Sequence, residues 1–390
     1  MDCPKAVKSS EGKNMIQQIG RTRLRIRRVV ILVACLAIVA LADGPPGANH
    51  KAQQAPPIKL GTSGSNVKDI NSSFCCAGTL GSLLKKGTAT YILSNNHVLA
   101  RSNAAALGEA IMHRGYVDTS PVCSKNGTFN VANLSQFVKL NFGGTLNNTV
   151  DAAIAKTISG QVSSTGQILD IGTVSTATAV PALNMNVKKS GRTTGLTSGK
   201  ITSVNVTVNV GGYGACGFGT KIAKFVGQFF VTPGSFSAGG DSGSLIVKPV
   251  SIGRPNPVGL LFAGSTSVTV GSPINAVLSA LSATFVGAQP SAQEAANDMN
   301  EPTDQQVATA TEVKNRYDDA LLKLPEVVGH GVGYSQSGSG VAVIKLFMRK
   351  ATREARQAAP SQIEGIPVEI EETGEIRVVP NCESEPKQKK

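Results

Sequence analysis

The stretch Gly239-Gly240-Asp241-Ser242-Gly243-Ser244 places one serine in a turn that is crowded with glycine. Glycine adopts backbone conformations that other residues avoid, so a tight turn here would aim the main-chain N–H groups of Gly240 and Ser242 at one point. Donors held in this way form an oxyanion hole, which stabilises negative charge developing on an oxygen atom. The alternative is an ordinary glycine–serine turn, because the chain contains 42 glycines.

Two further segments supply side chains that would activate such a serine. His97 follows a strand-like run in Leu93-Ser94-Asn95-Asn96-His97-Val98-Leu99-Ala100, where a loop would present its ring. Asp151 lies among small and apolar residues in Thr149-Val150-Asp151-Ala152-Ala153-Ile154-Ala155. A lone histidine is more often structural. A nucleophilic hydroxyl, an imidazole base and a carboxylate that orients the base together form a catalytic triad.

The choice of the triad acid is narrow, because acids are scarce in this region. Residues 43–288 contain only seven of them: Asp43, Asp69, Glu109, Asp118, Asp151, Asp170 and Asp241. Asp241 belongs to the serine motif, and Asp43 and Asp69 are expected to lie outside the β-rich domain. Asp118 is the second candidate, since it also lies between His97 and Ser242.

The region from about residue 72 to 286 has the pattern of an all-β domain. Valines at every second position from Val204 to Val210 alternate with polar residues, which predicts a half-buried strand. Strand-forming runs on both sides of Lys86-Gly87 predict a hairpin. Many short strands separated by Gly, Ser and Thr turns favour a β-barrel or a β-sandwich. An amphipathic helix that starts near Ile274 would close the region.

With these three motifs in this order, residues 72 to 286 resemble the chymotrypsin-fold serine peptidases. Lys189-Ser190-Gly191-Arg192-Thr193-Thr194-Gly195 is similar to the midsection of the secreted bacterial alpha-lytic protease and streptogrisin type. The resemblance implies two six-stranded β-barrels, with His97, Asp151 and Ser242 in the cleft between them. It also implies serine endopeptidase activity on a protein or peptide substrate, with no metal and no organic cofactor.

The resemblance also assigns the surroundings of the triad. Ser244 departs from the usual G-D-S-G-G sequence, and no cysteine follows His97. Asp241 is expected to be a buried carboxylate behind the nucleophile, with either Lys189 or Arg192 as its cation. Phe236, together with Phe262-Ala263-Gly264, would shape the primary substrate pocket. No acid is expected in that pocket, which disfavours a preference for Lys or Arg.

The N-terminus predicts export. Five arginines between residues 21 and 28 precede an uncharged run of 14 residues, Val29 to Ala42, which ends in Ala40-Leu41-Ala42. A basic flank, a short apolar core and a small-x-small exit define a secretory signal, and 14 residues are too few for a stable membrane span. Cleavage is expected near Ala42. Leu32-Val33-Ala34-Cys35 leaves a lipoprotein signal open, and the start is either Met1 or Met15.

Export permits disulfides between the cysteines that follow this signal. There are five: Cys75, Cys76, Cys123, Cys216 and Cys382. Cys75 and Cys76 are adjacent on a predicted strand, so their side chains should point to opposite faces. The sequence alone does not give the pairing.

Charge and composition divide the 390 residues into blocks. The net charge is +6 over residues 1–42, +11 over 43–288 and −4 over 289–390, and 41% hydrophobic residues exclude a disordered chain. We expect a signal peptide at 1–42, a linker or short pro-segment at 43–71 and the peptidase domain at 72–288. A linker at 289–302, a small α+β module at 303–380 and a tail at 381–390 follow. In the module, Thr303 and Gln306 predict a helix N-terminus, and Glu372-Thr373-Gly374 predicts a last hairpin.

The opposite charges of the last two blocks favour docking of the acidic module on the basic domain. The alternative is an independent module on a flexible tether. Two other functions stay open: a catalytically silent protease-fold binding protein at the cell surface, and a basic protein that binds nucleic acid or another anionic polymer. No basic–aromatic motif accompanies the positive charge, so no nucleic-acid partner is expected. The sequence therefore predicts a serine endopeptidase that is secreted to the extracellular space or the periplasm.

Overall fold

Strands account for most of the chain that the structure describes. The computed structural model describes residues 47–71, 74–217, 219–287, 304–338, 340–378 and 381–384. The strands are β1 (Thr62–Asn66), β2 (Phe74–Leu80), β3 (Ser82–Lys86), β4 (Ala89–Ser94), β5 (Ala110–His113), β6 (Phe129–Phe137), β7 (Asn147–Asn148), β8 (Ala153–Thr157), β9 (Asn186–Gly191), β10 (Gly195–Tyr213), β11 (Lys221–Thr232), β12 (Leu245–Lys248), β13 (Asn256–Gly264), β14 (Thr269–Pro273), β15 (Thr284–Phe285), β16 (Val327–Tyr334), β17 (Ala342–Met348), β18 (Gln362–Ile363), β19 (Ile366–Glu372) and β20 (Asn381–Ser384). The helices are α1 (Asn96–Leu99), α2 (Ile274–Leu281), α3 (Gln305–Arg316), α4 (Asp318–Leu321) and α5 (Arg353–Ala358). The expected all-β class is confirmed.

The first barrel is built from the strands β1 to β6 and β8. β1 pairs with β2 and β5, β5 with β6, β6 with β8, β8 with β4 and β4 with β3, all antiparallel. β2 and β3 are one bent stretch with Gly81 between them, so the ring of strands closes. The β3–β4 turn is the hairpin predicted at Lys86-Gly87. Glycine is required at the bend, because a Cβ on Gly81 would lie 1.9 Å from the carbonyl oxygen of Gly243.

The second barrel is a closed ring of the strands β9, β10, β11, β14, β13 and β12, in that order of antiparallel pairing. The alternating valines lie on β10, and Val206, Val208 and Val210 are fully buried. The amphipathic helix predicted near Ile274 is α2, which follows β14 and buries Ile274 and Leu281. The two-barrel architecture implied by the resemblance is therefore present.

The C-terminal module extends the sheet of the second barrel. β16 pairs antiparallel with β10, where Thr207 faces His330, and β17 pairs with β16 and, in parallel, with β19. Thr207 is fully buried although it lies on the face of β10 that the alternation predicted to be solvated. The hydroxyl of Thr207 donates to Asp318 of α4 at 3.0 Å, so the module covers this face.

Several predicted boundaries differ from the structure. Residues 58–66 are not a linker. Ile58 and Leu60 are fully buried, and β1 is part of the first barrel, whose interior accepts its small Ser, Thr and Gly residues.

The N-cap of α3 is Asp304, whose side chain accepts from the N–H groups of Gln306 and Val307. The last hairpin is absent, because β19 ends at Glu372 and the chain continues to β20, which pairs with β2. The predicted signal peptide, the 289–302 linker and residues 385–390 lie outside the described residues.

Two disulfides connect four of the cysteines, Cys75 to Cys123 and Cys76 to Cys216. The adjacent residues Cys75 and Cys76 thus have different partners, as expected from side chains that alternate across a strand. Among the described helices, none is long and apolar enough to cross a membrane.

Candidate active site

The first barrel brings His97 and Asp151 together. β4 and β8 are neighbours, with Ser94 opposite Ala153, so the turn after β4 and the loop before β8 lie at the same edge. His97 is in α1, and its Nδ1 lies 2.6 Å from Oδ2 of Asp151. The main-chain N–H of His97 also donates to Oδ1 of Asp151 at 3.2 Å. Both carboxylate oxygens therefore orient the histidine.

Tyr213 contacts the same carboxylate from the second barrel. Its hydroxyl donates to Oδ2 of Asp151 at 3.0 Å, and both side chains are fully buried. Burial and the nearby Asp151 carboxylate raise the pKa of Tyr213 well above its usual range. The phenol therefore stays protonated and donates to Asp151. This hydrogen bond joins β10 of the second barrel to the loop before β8 of the first. Sequence reasoning missed Tyr213, whose only signal is an aromatic residue at the end of an alternating strand.

Ser242 lies opposite His97 on the second barrel. The flanking Gly240 and Gly243 have φ angles of +94° and +95°, a region that favours glycine. The hydroxyl of Ser242 lies 3.4 Å from the carbonyl oxygen of Phe262. Ser242 and His97 line one small cavity, and Nε2 of His97 is buried without a hydrogen-bond partner among the described residues. The nitrogen that would act as base is thus not engaged by another described group.

Thr79 of β2 joins the serine turn to the first barrel. Its N–H donates to the carbonyl of Ser242 at 2.9 Å, and its hydroxyl donates to the carbonyl of Gly240 at 2.9 Å. The N–H groups of Asp241 and Gly243 are also used within the turn and by β13. Those of Gly240 and Ser242, the predicted oxyanion-hole donors, donate to none of the residues that the structure describes. Thr79 was not anticipated, because nothing local marks it.

Asp241 lies behind the nucleophile and is fully buried. Its carboxylate accepts from the N–H groups of Ala238, Thr193 and Thr194, and Lys189 Nζ lies 3.6 Å away. Burial lowers the pKa of Lys189, while the Asp241 carboxylate opposes that shift. Of the two predicted cations, the geometry places Lys189 at Asp241.

Arg192 instead pairs with Asp118, the second candidate for the triad acid. Its Nε and Nη2 lie 2.6 Å and 2.5 Å from the two carboxylate oxygens of Asp118. The hydroxyl of Ser63 also donates to Asp118 at 2.5 Å. Asp118 is therefore bound to Arg192 and Ser63, whereas Asp151 contacts His97. Of the two candidate acids, only Asp151 is in contact with the histidine among the described residues.

Lys189→Met is expected to destabilise the fold strongly, because it leaves the buried Asp241 carboxylate without its cation. Breaking a buried ion pair by removing one partner typically costs about 3–5 kcal/mol. Lys188→Met is the matched control, since Lys188 is the preceding residue on β9 and is only partly buried. Urea unfolding of both variants measures the difference. Equal stabilities would show that the Lys189–Asp241 pair does not support the serine turn.

The groove next to Ser242 differs from the predicted substrate pocket. Ala263 and Gly264, two of the residues expected in that pocket, line the groove. Phe236 and Phe262 are instead core residues: Phe236 packs among the apolar side chains of the second barrel, and the ring of Phe262 lies 4.7 Å from that of Phe225. An acid, Glu375, also lines the groove, contrary to expectation. It comes from the segment after β19, far along the chain, which local reasoning did not connect to this site.

Asp69 lies beside the His97 cavity, although it was expected outside the domain. It lines that cavity together with Cys76 and Cys216. Burial raises the pKa of Asp69 to about 7, against the opposing effects of Arg101 and His97. Asp69, Cys76 and Cys216 resemble a metal-ligand set by distance alone. The two sulfurs are bonded to each other, so they are not thiolate ligands.

Asp69→Asn should flatten the pH dependence of stability. The raised pKa means that the folded chain holds this proton more tightly than the unfolded chain, so ionisation of Asp69 destabilises the fold as the pH rises from about 4 through about 7. The asparagine variant should lose less stability than the unaltered chain between pH 5 and pH 8, by more than about 1.4 kcal/mol, the equivalent of one pKa unit. Urea unfolding at both pH values measures this, with the exposed Glu354→Gln as control. Parallel curves for Asp69→Asn would contradict the prediction.

Comparison with known proteins gives a partial family match and a set of similar structures. The family model of the Nal1 C-terminal domain matches residues 119–271. No curated protein matches the chain. A glutamic acid-specific serine protease that uses a histidine triad in substrate binding is 22% identical, with a TM-score of 0.38, over 58% of this chain and 100% of that one. Thermobifida fusca protease A is 20% identical over 59% and 99%, and alpha-lytic protease homologue N4 is 17% identical over 58% and 98%, both with TM-scores of 0.38.

Proposed function

We propose that this chain is a secreted serine endopeptidase that hydrolyses peptide bonds through an acyl-enzyme. The observation that carries the proposal is the 2.6 Å contact between His97 Nδ1 and Asp151 Oδ2, in a histidine that lines one cavity together with Ser242 and whose Nε2 has no hydrogen-bond partner among the described residues. A histidine fixed by a buried carboxylate on one nitrogen and facing a serine on the other is the arrangement of a triad.

Each residue has a defined role in this mechanism. His97 Nε2 takes the proton of Ser242 as the hydroxyl attacks the peptide carbonyl, and His97 then protonates the leaving amine. Asp151 holds the imidazole in the required tautomer and stabilises its charged form. The N–H groups of Gly240 and Ser242 bind the oxyanion of the tetrahedral intermediate. Water then hydrolyses the acyl-enzyme.

Export is part of the proposal and rests on the N-terminal sequence and the cysteines. The basic flank and apolar run that end at Ala42 are those of a secretory signal. The pairs Cys75–Cys123 and Cys76–Cys216 are suited to an oxidising compartment.

The test is covalent labelling by a fluorophosphonate probe, which reacts with an activated serine. We expect the purified protein to be labelled at Ser242, as identified by peptide mass spectrometry, and the Ser242→Ala variant to stay unlabelled. Absence of labelling, both in the full chain and in the Arg377→Pro variant described below, would support a catalytically silent protease-fold protein instead.

A further inference from the structure

The segment after β19 is paired with strands of the second barrel near Ser242. Arg377 exchanges two main-chain hydrogen bonds with Gly264, each of 3.0 Å. On its other side, the N–H of Gly211 donates to the carbonyl of Ile376 at 2.9 Å, and the N–H of Val378 donates to the carbonyl of Gly211 at 3.0 Å. The segment therefore lies between the ends of β10 and β13 and is paired to both of them.

The side chains of this segment alternate as those of a bound strand do. Ile376 and Val378 are buried, at 0% and 2% exposure, and they pack with the apolar cluster that contains Phe262 and Ala263. Arg377 between them points outward, where it contacts the carboxylate of Glu375 at 3.2 Å. Alternate apolar contacts plus main-chain pairing are the way in which a sheet edge binds an extended peptide.

The segment reaches the catalytic residues. Val378 lines the same cavity as His97 and Ser242. Glu375 and Arg377 line the groove next to Ser242, together with Ala263 and Gly264.

Beyond the cavity, the tail is paired again. β20 pairs antiparallel with β2, where Cys382 is opposite Cys76 and Asn381 is opposite Ala77. Cys76 and Ala77 themselves border the cavity. The tail is thus paired with strands of both barrels, next to the cavity and the groove that Ser242 lines.

We propose that the C-terminal residues Glu375 to Val378, which β20 follows, occupy the peptide-binding cleft of their own chain as a substrate-like strand and restrain access to Ser242. This inference rests on the proposed function. The occupant is the segment in cis, because only Thr373 and Gly374 separate it from β19, which is part of the sheet that continues from β10. A tethered strand has a high effective concentration at the cleft, so a substrate must compete with it.

Arg377→Pro tests the pairing, and Arg377→Ala is its matched control. Proline has no N–H to donate to Gly264, whereas alanine keeps both main-chain bonds and removes only the outward side chain. Losing one main-chain bond of the docked segment should raise fluorophosphonate labelling at Ser242 and hydrolysis of a chromogenic peptide by about tenfold. Arg377→Ala should not reproduce this increase, because it keeps both main-chain bonds to Gly264.

Hydrogen exchange provides a readout that does not depend on catalysis. Mass spectrometry of the peptide that covers residues 259–266 reports the Gly264 amide. The Gly264 amide should exchange faster in Arg377→Pro than in the unaltered chain. In Arg377→Ala, its exchange rate should not change. Val378→Ser, which weakens the apolar contact but keeps the backbone, should act in the same direction as Arg377→Pro. Thermal unfolding of each full-length variant shows whether it is folded.

The outcomes separate this inference from the proposed function. Equal labelling at Ser242 and equal exchange in all variants would overturn the inference and leave the proposed function standing. Faster exchange in Arg377→Pro without labelling in any variant would overturn the proposed hydrolysis, and the restraint with it, while the docking of the tail would stand. Faster labelling together with faster exchange, only in Arg377→Pro and Val378→Ser, is the result expected.

Discussion

Ser242→Ala is expected to reduce peptide hydrolysis by about 10⁶, to the background left by binding and the oxyanion hole. The hydroxyl of Ser242 is the nucleophile that attacks the peptide in the proposed mechanism, and no acyl-enzyme forms without it. His97→Ala should have an effect of similar size, because the members of a triad act as a unit. Turnover of casein or a chromogenic peptide measures both changes, in the unaltered chain and in the Arg377→Pro background.

Ser244→Ala is the matched control for Ser242→Ala. Ser244 belongs to the same turn and is also buried, but its hydroxyl donates to the carbonyl of Asp241 at 2.6 Å. Its loss should lower stability by about 1 kcal/mol and leave turnover nearly unchanged. Near-normal turnover in Ser242→Ala, or equal losses in both variants, would show that Ser242 is not the nucleophile.

Asp151→Asn is expected to reduce turnover by about 10⁴ while the fold stays intact. An asparagine amide at the position of Oδ2 would favour the wrong tautomer of His97. Nε2 would then already carry a proton and could not accept the proton of Ser242. Because the main-chain N–H of His97 and the hydroxyl of Tyr213 also contact this carboxylate, the ring should keep its place. The loss should therefore appear in kcat, and thermal unfolding should change little.

Asp170→Asn is the matched control for this substitution. Asp170 forms a second histidine–carboxylate pair, with Oδ2 2.7 Å from Nε2 of His50, and neither residue lines the His97 cavity. The same change there should leave turnover within a few-fold. Asp118→Asn should also spare kcat, but it leaves the buried Arg192 without its carboxylate, so a stability loss of about 3–5 kcal/mol is expected. A larger loss of kcat in Asp118→Asn than in Asp151→Asn would move the triad acid to Asp118.

Local patterns in the sequence were sufficient for the elements that carry the candidate site. The hairpin at Lys86-Gly87 and the alternation from Val204 to Val210 depend on residues a few positions apart, and both are strands in the structure. The linker expected at 43–71 was wrong in its second half, because small Ser, Thr and Gly residues suit a barrel interior as well as a loop. Composition alone does not distinguish these two environments.

The candidate residues show the same division. The order His97, Asp151, Ser242 rests on local motifs. In the structure, His97 contacts Asp151, and His97 and Ser242 line one cavity. Phe236 and Phe262 were expected in the substrate pocket, yet their rings lie in the core. Which face of a strand turns inward at such a point depends on the register of the sheet, which the residues themselves do not specify.

The sequence by itself determined the strand pattern and the three motifs around His97, Asp151 and Ser242. The strand pattern depends on short-range spacing, and the turn at Ser242 depends on the conformational freedom of glycine. Only the tertiary structure decided that Lys189, not Arg192, faces Asp241, that Tyr213 contacts Asp151, and that the tail at Arg377 pairs with Gly264. These contacts join residues 52 to 113 positions apart. Nothing in the local sequence marks one such partner over another, since the choice is made by strand pairing and by the need of buried charges and main-chain groups to be satisfied.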